Sequence, residues 1–340
     1  MNGLERTLEF LAGKPVDRPP VHPILMRWAA RHAGVKYRDF CLDPAAKTAA
    51  AIRCAEDFGF DWVTVMSDPW VEASAFGIQL DYPEDNLPID TGGHLPDVET
   101  AATLQPYRPL DHRRCVNRIE EIRMFKKHVG ATHFIVGWVE GPVAEYADLR
   151  GVSEAAMDFL DAPDACHLAI DVIVESALEF ITLQIEAGAH CIGIGDAFCS
   201  QIGPRLYRDL AWRGEKRMVE HIHRLGAIAK LHICGNTAPI LHDMIATGAD
   251  IIDVDHLVPD MAVFASDLAP TQVLSGKADP AGILRHGTPE QIIETVRAHH
   301  AEGRGRVIVS PGCEVPPDAP DANLRALVNA AWSVLNPDDP

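Results

Sequence analysis

Short apolar runs, many rich in β-branched residues, alternate along this chain with longer segments whose apolar positions recur at helical spacing. Eight such runs stand out: Pro20–Met26, Trp62–Met66, His133–Trp138, Cys191–Gly195, Ile228–His232, Ile251–Val254, Val273–Ser275 and Val307–Ser310. Each is brief and largely apolar, as strands covered on both faces should be. Between them the spacing predicts helices over Pro44–Phe58, Ser153–Leu160, Pro163–Ala187, Tyr207–Leu225, Pro239–Ala246, Thr288–His300 and Asn323–Leu335. Asp43 before Pro44 is a ready N-cap, with proline at the first helical position. Eight strands alternating with helices over 340 residues predict an α/β fold of the (β/α)8 TIM-barrel type. A doubly wound sheet is the competing architecture, but no GxGxxG or GxxxxGK[ST] follows the first run. Residues 76–109, rich in Pro, Gly and Asp, are expected to form an insertion after the second strand, over the barrel mouth. No repeat or linker divides the chain, so one domain is expected over residues 1–340.

Charge narrows the range of functions. With 30 Lys and Arg against 49 Asp and Glu, the net charge is −19. A nucleic-acid binder needs a basic footprint, and so does a protein held on an anionic membrane; neither is expected. An anionic small molecule held by a few local arginines remains compatible with that balance. No run approaches the roughly 18–20 apolar residues of a spanning helix, and the N-terminal MNGLERTLEFLAGKPVDRPP lacks the pattern of a secretory signal. Eight cysteines, at 41, 54, 115, 166, 191, 199, 234 and 313, are scattered without a compact framework. That usage suits a reducing cytoplasm.

In a barrel of this kind, chemistry is performed where strands end and the following loops begin. The fifth run ends in Leu231-His232-Ile233-Cys234-Gly235-Asn236-Thr237, and the eighth in Ser310-Pro311-Gly312-Cys313-Glu314. His232 and Cys234, two apart in extended chain, point to one side. Cys313 can complete a three-donor set from another strand end. One imidazole and two thiolates suit Zn²⁺, with a fourth position left open. The competing reading is that the first two are packed barrel residues and Cys313 an unrelated buried thiol.

HICGNT with the distant SPGCEVPPDAP resembles the HxC…C zinc signature of the methylcobamide:coenzyme M methyltransferases, within the uroporphyrinogen decarboxylase superfamily. The resemblance extends through GKPVDRPPV (13–21), Phe60-Asp61, GWVEGP (137–142), GAHCIGIGDAF (188–198), GADIIDVD (248–255), SGKADP (275–280) and Asn323-Leu324. It implies a (β/α)8 barrel, zinc on His232, Cys234 and Cys313, and a methyl group passed from a methylcobalamin-type corrinoid, carried on a separate small corrinoid protein, to a thiol. The decarboxylase branch needs neither metal nor cofactor and holds an acidic tetrapyrrole with arginines and an aspartate. Its MRQAGRY-like motif matches Arg27 and Arg31 within Met26-Arg27-Trp28-Ala29-Ala30-Arg31-His32, and its Ser-Asp matches Ser67-Asp68. It has a GHG segment where this chain has Cys313, and no HxC at the fifth strand. The chain therefore departs from the decarboxylase at the metal positions, toward the methyltransferase.

Other strand-end residues complete the candidate list. Glu140 and Asp196 are read as catalytic, either as a fourth zinc ligand or as a group orienting one. Glu314, pointing away from Cys313, ranks lower. Arg27, Arg31, Asp68 and Lys277 are read as substrate-binding; Lys277 can equally pair with Asp279. His22 is expected to be a satisfied core histidine, Trp70 and Trp138 core residues or platforms for a flat ring, and His221/His223 and His299/His300 solvated helix faces. The acceptor is read as a thiol such as coenzyme M, with tetrahydrofolate as the alternative. Decarboxylation of a tetrapyrrole is the second activity considered, and a non-catalytic zinc-binding partner subunit the third. A homodimer is left open.

Overall fold

The computed structural model describes residues 1–335. Its strands in chain order are β1 (Trp62–Thr64), β2 (Gln79–Asp81), β3 (Ile89–Gly92), β4 (Phe134–Glu140), β5 (Cys191–Gly195), β6 (Ile228–Ile233), β7 (Ile251–Val254), β8 (Val273–Ala278) and β9 (Val307–Pro311). Seven form one curled parallel sheet in the order β1-β4-β5-β6-β7-β8-β9, while β2 and β3 pair antiparallel as a separate hairpin. Helices link the parallel neighbours, among them Pro163–Ala187, Trp212–Arg224, Leu241–Ala246 and Pro289–Glu302, as a parallel sheet requires. Pro44–Phe58 forms as expected, with the Asp43 carboxylate accepting from the amides of Ala45 and Ala46. No described helix is long and apolar enough to cross a membrane.

The first expected strand does not form as one. Pro20–Met26 contributes a single parallel bridge, Val21 to Val309. Three prolines, at 19, 20 and 23, remove the amide donors a ladder needs, and a helix already begins at Arg27. The segment nonetheless lies between the two outer strands. His22 N donates to Val309 O, Val309 N to Pro20 O, and Asp61 N, just before β1, to Val21 O. Residues 76–109 hold the β2–β3 hairpin and a helical turn, Val98–Ala101. Leu95 N ties the region to Leu149 O.

Successive residues of a strand face opposite ways. On the inner face of the sheet, Trp62, Phe134, Val136, Cys191, Ile251, Val273 and Ile308 form an apolar cluster with Phe10 and Leu11 of the N-terminal helix Gly3–Leu11. That helix closes the lower end. Further along three of the strands the same face turns polar: Lys230 and His232 on β6, Asp253 on β7, Ser275 on β8. The outer face packs on helices, and the longest missed helix, Arg113–Val129, does so through Cys115, Ile119, Ile122, Phe125 and Val129 together with buried charges. Its Arg118 bonds Glu72 Oε2 at 3.2 Å and the carbonyls of Trp138 and Asp68, and its Glu121 lies 3.3 Å from Lys47 Nζ.

Asp61 joins the N-terminal segment to the sheet. Its buried carboxylate takes Arg18 Nη1 at 2.6 Å, Arg6 Nη1 at 2.5 Å and the Val21 amide at 2.7 Å. Removing one member of a buried ion cluster strands the rest without compensation. Asp61→Ala is therefore expected to lower stability by about 3–5 kcal/mol, measured as the loss of urea midpoint at unchanged slope.

Candidate metal centre

His232 and Cys234 lie at and just past the end of β6, and Cys313 just past the end of β9. Strand register sets their height. Glu140, Gly195, His232, Asp253 and Ser275 are successive partners across β4 to β8, so their side chains share one level of the inner face. The donor atoms converge: His232 Nε2 lies 3.1 Å from Cys234 Sγ, which lies 3.2 Å from Cys313 Sγ. All three donors lie within 4.8 Å of one another. Bonds of 2.0–2.3 Å around a tetrahedral zinc give ligand separations of about 3.3–3.8 Å, so an outward shift of a few tenths of an ångström lets the set take such an ion.

Two glycines make the convergence sterically feasible. Gly235, at φ +90°, turns the chain away directly after Cys234 and donates its amide to Asp255 Oδ2 at 2.7 Å. Gly312 lets the chain just past β9 approach the loop that follows β7, where a Cβ would collide with the His256 amide. A third close approach shapes the neighbouring wall. The Trp138 indole lies across Gly193 and Gly195, its centroid 6.1 Å from the His232 ring, and donates Nε1–H to Glu140 Oε1 at 2.9 Å.

The site's protons follow from its neighbours. His232 Nδ1 meets Asp253 Oδ2 at 2.8 Å, and Lys230 Nζ meets the same oxygen at 2.9 Å. Burial pushes the Asp253 carboxyl up, but Lys230 and then His232 outweigh it and hold it well below the usual carboxylate range. Burial alone would lower the His232 imidazole; its hydrogen bonds to Asp253 and Cys313 outweigh that and raise it to about 9. The hydrogen bond from Cys234 pulls Cys313 down to about 5 against burial, and the same shared proton pushes Cys234 up. The metal-free cluster is thus a thiolate beside a thiol and an imidazolium. A divalent cation entering it would displace two protons, one from sulfur and one from nitrogen, with no change in net charge.

The remaining candidates are placed elsewhere. Glu140 stands on the same register level as His232, its carboxyl pushed well up by burial and by Glu72. Asp196 is not brought to the three donors. Its oxygens take the amides of Ala144, at 2.6 Å, and Val143 at the start of helix Pro142–Arg150, beside Cys199 and Glu215. Asp68 is locked in a buried pair with Arg114, 2.5 Å away. Lys277 donates to the carbonyls of Val258 and Pro259, at 2.8 and 3.0 Å, and pairs with Glu302 rather than Asp279. Arg27 reaches Glu314 Oε1 at 3.3 Å, Arg31 caps the Pro317 carbonyl, and both line a cleft of about 440 Å³ with Lys36 and Tyr37. His22 is buried, stacked 4.5 Å from the Trp62 ring. His299 and His300 are half-buried rather than solvated. Sequence reasoning missed Asp253 and Lys230. The only signal for them is that Asp-x-Asp (253–255) repeats on β7 the spacing of His-x-Cys on β6.

A curled parallel α/β sheet that gathers one imidazole and two thiols at its carboxyl edge defines a class of barrel-type enzymes. The chain belongs to the uroporphyrinogen decarboxylase (URO-D) family, whose model matches residues 2–334. The chain is 27% identical over 331 residues to the methylcobamide:CoM methyltransferase MtaA of Methanosarcina barkeri, covering 96% of each. It is 28% identical over 352 residues to the uroporphyrinogen decarboxylase of Synechococcus sp. (strain CC9902), covering 97% of this chain and 96% of that one. Its fold is similar to that of a methyltransferase from Methanosarcina mazei, with a TM-score of 0.87 at 24% identity over 97% of this chain and 98% of the other.

One consequence is measurable without any ligand. A thiolate, not a thiol, is alkylated. In chelator-treated protein, Cys313 is expected to react with iodoacetamide first among the eight cysteines, with a pH midpoint near 5. Buried Cys41, Cys115 and Cys191, each pushed above its ordinary value by burial, should stay unmodified. Peptide mass spectrometry across a pH series reads both.

Proposed function

We propose that this chain is a zinc-dependent methyltransferase that moves a methyl group from a methylcorrinoid, carried on a separate small protein, to a thiol. The observation that carries the reading is the convergence of His232, Cys234 and Cys313 at the carboxyl edge of the sheet. The methyltransferase names among its relatives support it. The Val21 segment is read as the eighth stave of a single closed barrel, with the β2–β3 hairpin inserted above its mouth, and the eight free cysteines suit the reducing cytoplasm.

His232, Cys234 and Cys313 would hold the ion, which supplies a Lewis-acidic position where a thiol gives up its proton near neutrality. The chain's own residues supply the rest. Asp253 fixes the ring of His232 with Nε2 toward the sulfurs,. Gly235 and Gly312 hold the two cysteines in place by letting the backbone turn and approach. Trp138, oriented by Glu140, walls the site with an apolar surface, which keeps water from a nascent thiolate. The net change is a methyl exchanged from cobalt to sulfur: thiol plus methylcorrinoid gives methyl thioether, a corrinoid reduced by two electrons, and a proton.

Decarboxylation of an acidic tetrapyrrole is the second reading. Arg27 and Arg31 share one cleft, and decarboxylase relatives match at comparable identity. Against it, Asp68 is committed to Arg114. Formation of coproporphyrinogen that survives a chelator would favour it.

Purified protein is expected to hold about one zinc per chain. Cys313→Ser should lower bound zinc by about tenfold or more, read by elemental analysis after desalting; equal zinc in both would remove Cys313 from the site. With zinc bound, coenzyme M or a related thiol should release a proton on binding, counted by calorimetry in buffers of different ionisation enthalpy. It should also add one sulfur to the zinc-edge X-ray absorption spectrum. A folate acceptor would leave the spectrum unchanged.

A further inference from the structure

The inner face of the sheet carries a buried cation, Lys230, that no step above uses. It is fully enclosed and lies two residues before His232, so both project from the same face of β6,. Its ammonium sits 2.9 Å from Asp253 Oδ2, the oxygen that also meets His232 Nδ1 at 2.8 Å. The rings of Trp62 and Trp138 flank it at 5.9 and 6.0 Å. A lysine sealed in such a place loses its hydration, and two indole faces together with one carboxylate compensate only in part.

We propose that Lys230 is a positioning residue that acts on the metal through Asp253 and His232. It balances the carboxylate charge, so that Asp253 orients the imidazole without turning it into an anionic ligand. The inference rests on the zinc reading above and goes beyond it.

The argument is one of charge. A dication with two thiolates, a neutral imidazole, Asp253 and Lys230 adds to zero; without Lys230 the same assembly carries −1 in an enclosed space. Asp253 would then draw harder on the Nδ1 proton, and His232 would become a stronger donor. A metal with stronger donors is a poorer acceptor of electrons from sulfur. Lys230 therefore keeps the ion electrophilic enough to ionise an entering thiol. A lysine that merely filled space beneath the histidine would have no effect that depends on the charge of Asp253.

The test replaces zinc with cobalt(II), whose thiolate-to-metal charge-transfer band reports how electron-rich the metal is. Lys230→Met, close in length but uncharged, is expected to shift that band to shorter wavelength. In an Asp253→Asn background, where no carboxylate charge remains to be balanced, the same replacement is expected to leave it where Asp253→Asn alone puts it. The cycle isolates coupling between the two residues. No shift in Lys230→Met, or an equal shift in both backgrounds, overturns the inference. Should Lys230→Met not fold, Lys230→Gln takes its place with the same expected shift, folding being checked by circular dichroism. Wild-type protein that takes up neither zinc nor cobalt overturns the metal reading itself, a result distinct from a cobalt protein whose spectrum ignores Lys230.

Discussion

Parallel register around a curled sheet is the constraint on which the site depends. Side chains alternate with a period of two, and each strand is locked to its neighbour by a ladder of backbone hydrogen bonds. A residue's height and facing are therefore settled by its neighbours as much as by itself. Glu140, Gly195, His232, Asp253 and Ser275 stand level because four strand pairs are in step. A slip of one residue in β7 would turn Asp253 outward and bring Ile252 in. Precision at the three donors is thus a property of the whole sheet, and of Asp61, which ties the Val21 segment between its outer edges.

Along the inner face, polarity changes in a single step. Apolar residues near the N-terminal helix give way within one alternation to lysine, aspartate and histidine. Buried charges persist when paired, and several such pairs occur on this face and among the helices behind it. Lys230 meets Asp253, Arg118 meets Glu72, Arg114 meets Asp68, and Lys47 meets Glu121. Lys230 and Asp253 lie against His232, where they shape the field at the donors, while the other three pairs tie the helix Arg113–Val129 to its neighbours.

The sheet was largely legible from sequence, because its strands are short apolar runs bounded by turn residues. The stretch from Pro20 was misread because its apolar composition suits a strand while its prolines forbid one. Helix Arg113–Val129 escaped notice for the opposite reason. It buries Arg114, Asn117, Arg118 and Glu121 beside the stripe of Cys115, Ile119, Ile122, Phe125 and Val129, so charged and amide residues interleave with the apolar positions and mask their spacing. At the site, His232, Cys234 and Cys313 could be picked out by residue type and spacing. Asp253 and Lys230 could not, since their meaning arises from which residue stands beside which across strands. The commitments of Asp68, Asp196 and Lys277 to local partners were likewise invisible, because a charged residue at a strand end reads the same whether its partner is substrate or backbone.

The N-terminal helix that seats Phe10 and Leu11 against the lower cluster makes the inner face a vessel with a floor. Whatever reaches the three donors from below meets that floor, which leaves the carboxyl edge as the open side. Under the methyl transfer proposed above, a small acceptor would then have to be seated before a bulky donor settles over that edge, an order set by the plugged base of the fold, some distance from any reacting atom.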